Sequence, residues 1–142
     1  MLTDASASSS VAASKIAEPD DLLLAITGAT IGKIGIVVRY DRLAFSGDLL
    51  QLRAREGLDP YYLLVVLRSP VGQGQLLRWV TGSTNGHLAP RDVMRVLTPR
   101  LGKTERVISD LVQESLSARK EAEALLEQAK RRVEELIEQE AS

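Results

Sequence analysis

The 142-residue sequence contains no cysteine, which removes a disulfide framework, a thiol nucleophile and thiolate metal ligation from the available chemistry and fits an intracellular protein. Histidine occurs once, at His87. A histidine-rich zinc site is therefore excluded, whereas a carboxylate-ligated magnesium is not. Aromatic residues are scarce, and the one tryptophan, Trp79, together with the Tyr61-Tyr62 pair, reads as a set of core anchors rather than stacking platforms for bases. No apolar run approaches about 18 residues, the length a membrane-spanning helix requires. The Ala- and Ser-rich start, MLTDASASSSVAASK, lacks the basic n-region and continuous apolar h-region of a signal peptide, so residues 1–18 are expected to be a disordered leader.

What is present is an uneven distribution of charge. Residues 19–100 carry ten basic groups against seven acidic ones, while residues 101–142 carry seven basic against ten acidic. The central part is thus basic and the tail acidic, a balance that permits phosphate contact without demanding it.

After Pro19, the run DDLLLAITGATIGKIGIVVRY predicts a hairpin: an apolar strand from Leu22 to Thr27, a turn punctuated by Gly28 and Gly32, and a β-branched strand from Ile34 to Arg39. LAFSGDLLQLR adds a third strand carrying Leu49, Leu50 and Leu52, with Ser46-Gly47-Asp48 as a turn. The period then changes. Asp59-Pro60 is a helix start, Asp as N-cap and Pro in the first turn, and Tyr61 to Arg68 fills about two turns before Ser69-Pro70. A second helix is expected over Gly72 to Trp79, stopped by Thr81-Gly82, followed by a polar loop from Ser83 to His87 and a short helical or extended start at Ala89-Pro90-Arg91-Asp92.

From Lys103 to about Gln139 the chain has neither Pro nor Gly and is dominated by Glu, Ala, Leu, Lys, Arg and Gln. These strong helix formers predict one continuous helix of roughly 55 Å. Its seam, Ile108, Leu111, Ser115, Ala118, Ala122, Leu125, Ala129 and Leu136, alternates three- and four-residue steps until Arg132 interrupts, with small residues in the middle where two helices can approach closely. Such a stripe calls for a partner helix. The seam residues expected to carry dimerisation are Ile108, Leu111, Ala118, Ala122, Leu125, Ala129 and Leu136.

GATIGK invites comparison with a phosphate-binding loop, but only three residues separate Gly28 from Gly32, and Ile34 follows Lys33 where a magnesium-binding hydroxyl belongs. The simpler reading is a turn whose glycines take positive φ. His87 shares its loop with Ser83 and Thr84, yet no G-x-S-x-G elbow is present and sequence neighbours do not make a triad. Basic residues between 27 and 100 are interleaved with Thr27, Thr30, Ser83, Thr84, Asn85 and His87, side chains able to bond phosphates or base edges; the plain alternative is a solvated polar surface.

The order of these segments resembles the specificity subunit of type I restriction-modification systems. DDLLLAITGATIGKIGIVV is similar to that family's glycine-lysine hairpin, with Asp20-Asp21 in place of Gly-Asp. DPYYLLVVLRSPVGQGQLLRWVTGST resembles its paired helices and following Gly-Ser/Thr loop, APRDVMRVLTPRL its approach to the spacer, and SARKEAEALLEQAKRRVEELIE its long spacer helix. Together the four cover residues 20 to 139. At the spacer entry the family carries Gln where this chain has Thr104, and several strands normally precede the hairpin.

The resemblance implies an α+β fold: a small mixed α/β target-recognition domain, partial here, over residues 19–100, followed by a long coiled-coil-forming helix over 101–142. It implies a non-catalytic, cofactor-free, cytoplasmic module that reads half of a bipartite site in double-stranded DNA. Its partners would be adenine-methylating subunits, a translocating restriction subunit in the full complex, and an equivalent spacer helix lying antiparallel. On this reading Lys33 is a further DNA contact, Arg39, Arg53, Arg78 and Arg91 clamp the phosphate backbone, and Ser83, Thr84, Asn85 and His87 form the base-reading loop. The rival expectation is a truncated relic that acts only as a coiled-coil interaction protein; the tail of a restriction-methyltransferase fusion is a third.

Overall fold

The computed structural model describes residues 3–5, 15–38, 43–82 and 86–142. In chain order the elements are strands β1 (Thr3–Ala5), β2 (Lys15–Ala17), β3 (Leu22–Ala25), β4 (Ile34–Ile36), β5 (Leu43–Phe45) and β6 (Leu49–Ala54), then helices α1 (Pro60–Arg68), α2 (Pro70–Leu77), α3 (Pro90–Val93) and α4 (Thr104–Ala141). The fold is mixed α/β with one long C-terminal helix. Among the described residues no helix is long and apolar enough to cross a membrane.

Four strands form an antiparallel sheet in the order β1-β6-β3-β4, and β2 pairs with β5 in a second, two-stranded sheet. Side chains alternate across a strand, so register decides which residues share a face. Leu22 lies opposite Leu52 and Leu24 opposite Leu50, and all four are buried. Helix α1 packs on β4 and β6 and contributes Tyr62, Leu63, Leu64, Val66 and Leu67 to the core. Each fully buried leucine contributes about 1.5–3 kcal/mol, which is why this leucine-rich strand pair and one apolar helix hold so small a sheet.

The expected hairpin is present as β3 and β4, with strands shorter than the apolar runs. Helix α1 begins where Asp59-Pro60 places it: Asp59 Oδ1 accepts hydrogen bonds from the backbone N–H of Tyr61 at 2.8 Å and of Tyr62 at 3.1 Å. Three expectations need correction. Residues 3–5 and 15–17, read as part of a disordered leader, are strands paired with β6 and β5; residues 1–2 and 6–14 lie outside the described residues. Helix α2 starts at Pro70, not Gly72, because Ser69 closes α1 and opens α2 at once. Its N–H donates back to Val65 O, and its hydroxyl oxygen accepts from Gly72 N at 3.3 Å. Thirdly, the chain divides into two compact units at Ser109/Asp110 rather than near residue 100, so the first turn and a half of α4 belongs to the N-terminal unit.

That first stretch is bound tightly within its unit. Glu105 accepts from Arg100 through both oxygens, at 2.9 and 3.0 Å, and from Leu101 N at 2.8 Å. Arg100 also donates to Gly57 O at 2.8 Å. These bonds fix the chain's entry into α4 against residues 57 and 100–101 of the same unit.

Candidate nucleic-acid interface

Strand register sorts the loops of the N-terminal unit to two ends. Ala25 faces Leu49 and Leu24 faces Ile34, so the 27–33 turn and the 46–48 turn leave the sheet at the same end. The 81–88 segment joins them there. His87 forms antiparallel bridges with both Thr27 and Thr81, Leu88 N donates to Ile26 O at 2.8 Å, and Gly28 N donates to Gly86 O at 3.2 Å. Thr27 Oγ1 donates to Asp48 Oδ1 at 2.8 Å, closing the three loops into one cluster. The opposite end holds residues 18–21, 53–59 and 99–109, including the start of α4.

Helix α2 lies on the glycine turn. Gly32 has φ of 90°, and a Cβ there would stand 3.0 Å from Gln73 Oε1 and Leu77 Cδ2, so both the backbone angle and the close approach call for glycine. Gln73 Nε2 fastens the contact by donating to Gly32 O at 2.9 Å and Leu67 O at 2.8 Å. Lys33 follows, exposed, at the rim of the loop cluster.

The residues singled out from sequence are only partly brought together. Lys33 and His87 share the loop end and are exposed, although His87 is in a bridged segment rather than a free loop. Arg39, Ser83, Thr84 and Asn85 lie outside the described residues. Arg53 is elsewhere: it sits near the far end of β6, where its Nε donates to Asp21 Oδ1 at 2.7 Å and its Nη2 to Asp21 Oδ2 at 2.8 Å. Its role as a phosphate clamp is therefore withdrawn, since a guanidinium bonded twice to a buried carboxylate is a structural tie. Burial pushes the Asp21 carboxyl up, but hydrogen bonds from Arg53, Glu18 N and Gln51 outweigh it and hold the carboxyl below its ordinary value.

Arg78 and Arg91 are exposed on the flank that α2 and α3 build beside the loop end. Trp79 corrects a further expectation. It is half-exposed rather than a core anchor, and two guanidiniums lie against its indole, Arg78 at 5.2 Å and Arg95 at 4.9 Å from the ring centroid. Tyr62 is buried as expected, while Tyr61 is half-buried with its hydroxyl donating to Asp20. Sequence reasoning missed Arg95 because its position beside Trp79 depends on the turn after α3, which no local pattern announces.

Along α4, Leu111, Leu125 and Leu136 are exposed, as are Ala118, Ala122 and Ala129, whereas Ile108 is half-buried in the N-terminal unit. Leu126, Val133 and Ile137 add to the exposed apolar surface. Among the described residues no group of three or more His, Asp or Glu side chains is gathered for a metal ion. The sequence matches no protein-family model and no curated protein.

Proposed function

We propose that this chain is a non-catalytic DNA sequence-recognition module of the kind found in type I specificity subunits, in which the loop end faces double-stranded DNA and α4 pairs with a second spacer helix. The observation that carries this reading is the surplus of positive charge at the loop end. Lys33, Arg68, Arg78, Arg91 and Arg95 lie at the loop end and its α2–α3 flank, opposed there only by Asp48 and Asp92 among the described residues. At the other end Arg53, Arg55, Arg100, Lys103 and Arg106 are balanced by Glu18, Asp20, Asp21, Glu56, Asp59 and Glu105. A cationic rim around short polar loops suits phosphate contacts that position and side chains that read base edges.

The order of charge along α4 supports an antiparallel partner. Lys130, Arg131 and Arg132 precede Glu134, Glu135, Glu138 and Glu140, while Lys103 and Arg106 precede Asp110 and Glu114. Two copies crossing antiparallel near residue 120 set 130–132 against Asp110 and Glu114, and the acidic end against Lys103 and Arg106. A parallel pair sets like against like, which is destabilising. On this reading the module is cytoplasmic and delivers an adenine methyltransferase subunit, and in the full complex a restriction subunit, to its DNA site.

The test is to combine the purified chain with a type I adenine methyltransferase subunit and titrate duplex DNA across a salt series. Formation of a complex whose DNA affinity falls steeply with ionic strength supports the reading. Association through α4 with no gain in DNA binding at low salt leaves a coiled-coil interaction protein instead.

A further inference from the structure

Within the cationic flank, Trp79 with Arg78 and Arg95 forms a unit of its own. Both guanidiniums rest on the one indole, so their cationic centres are no further apart than the sum of their distances to its centroid, 5.2 and 4.9 Å. Arg78 has no carboxylate partner among the described residues. Arg95 faces Asp92 only through Nε, at 3.8 Å, beyond hydrogen-bond reach, with its side chain 59% exposed. An arginine stacked on an aromatic ring keeps its in-plane N–H groups directed outward and has lost part of its rotamer freedom in advance, so less entropy is lost when an anion arrives.

The stack is continuous with the loop end. Trp79 is two residues before Thr81, the bridge partner of His87, and Val80 Cγ1 closes on Gly86, where an added Cβ would stand 3.0 Å away. On its other side, Gln75 accepts from Leu97 N at 2.8 Å and donates to Leu97 O at 3.1 Å. Gln75 thereby fastens the segment bearing Arg95 to α2.

We propose that Arg78, Trp79 and Arg95 form a preorganised clamp for a nucleic-acid phosphodiester, in which the two guanidiniums donate to phosphate oxygens of one backbone and the indole holds them in place. The inference rests on the DNA reading above and adds the element that contacts the backbone regardless of sequence. The chemistry favours phosphodiester because the planar guanidinium matches phosphate oxygens two at a time, and because the exposed Lys33 adds a cation at the adjoining loop end.

Trp79 is the chain's one tryptophan, so its emission reports on the clamp directly. The full-length protein is titrated with a fluorescein-labelled duplex of mixed sequence at low salt, following label anisotropy and Trp79 emission together, and separately with polyglutamate of matched charge. The expected result is duplex binding accompanied by a change in Trp79 emission, with a response to polyglutamate at least tenfold weaker. In the doubly substituted R78Q/R95Q protein, with its circular dichroism unchanged, affinity drops at least tenfold. The slope of log affinity against log salt shrinks by about 2, roughly one per lost phosphate contact. Trp79→Leu keeps both charges, and a loss of affinity there isolates the indole's role in holding them. Duplex binding with unchanged Trp79 emission and undiminished affinity in R78Q/R95Q overturns the clamp and leaves the DNA reading standing. No duplex binding at any salt overturns both. An equal or stronger response to polyglutamate assigns the stack to an acidic protein surface instead.

Discussion

Ser109 of α4 donates its hydroxyl to Asp59 Oδ1 at 2.7 Å, and that same oxygen caps α1 through Tyr61 N and Tyr62 N. One carboxylate oxygen therefore starts one helix and fastens the first turns of another, fifty residues later in the chain.

The cap and the fastening are then coupled. Asp59→Ala is expected to cost about 1 kcal/mol for the lost N-cap and roughly another 1 kcal/mol for the hydrogen bond from Ser109. Ser109→Ala alone costs only the second part. Urea denaturation of both single variants and the double variant measures the coupling, expected on the order of 1 kcal/mol; strictly additive values would mean that the Ser109–Asp59 bond contributes nothing to stability.

Gly72 and Gly74 share α2 but meet different surroundings. A Cβ on Gly72 would lie 2.2 Å from Val66 O and 2.6 Å from Leu67 Cα, backbone atoms that cannot step aside, whereas one on Gly74 meets nothing within 4 Å. Gly72→Ala should therefore destabilise the fold by at least ~2 kcal/mol, and Gly74→Ala should stabilise it by up to about 1 kcal/mol through helix propensity. Thermal melts of the two variants check the contrast.

Acid should weaken the protein through two carboxylates. Hydrogen bonds from Arg100 and Leu101 N hold Glu105 below its ordinary value of 4.5, and those from Arg53, Glu18 N and Gln51 hold Asp21 below 3.8 against the upward push of burial. A carboxyl depressed on folding contributes stability that is complete above its unfolded value and is lost as pH falls through its folded value. The urea midpoint should thus be flat near neutrality and drop below about pH 4.5. Asp21→Asn should flatten the lower part of that drop, and an unchanged profile would show that Asp21 is not a source of it.

The α4 seam should fail when charge enters its small-residue centre. On the proposed pairing Ala122→Glu places a carboxylate in the small-residue centre of the stripe, and self-association followed by sedimentation at micromolar concentration should weaken by tenfold or more. Glu138→Lys, in the acidic end, should weaken an antiparallel pair and relieve repulsion in a parallel one, so the sign of its effect distinguishes the two orientations.

Much of the fold was legible because its signals are local. Asp59-Pro60 carries its own start instruction, the glycines of the 28–32 turn match the positive φ found at Gly28 and Gly32, and a stretch without Gly or Pro became α4. What was hidden depends on partners distant in sequence. Thr3–Ala5 shows no β-branched alternation, and its pairing is supplied by β6 across some fifty residues. Ser69-Pro70 was read as a stop because it ends α1, although the same Ser-Pro pair is also a start signal. Arg53 looked like a free cation until register brought it beside Asp21, and Trp79 looked like core until α3 turned Arg95 toward it. The candidate site was legible in composition, as basic residues among small polar ones, but not in membership.

The separation of the two ends of the N-terminal unit bears on how such a protein can change over generations. Thr81 and His87 are held through backbone pairing, and Leu88 through its bond to Ile26, while the bonds that seat α4 run through Asp59, Arg100, Glu105 and Ser109 at the opposite end of β3 and β6. Backbone pairing is indifferent to side-chain identity. Substitutions at the loop end can therefore accumulate without disturbing the helix seat, so that the two ends of the unit are free to diversify at different rates.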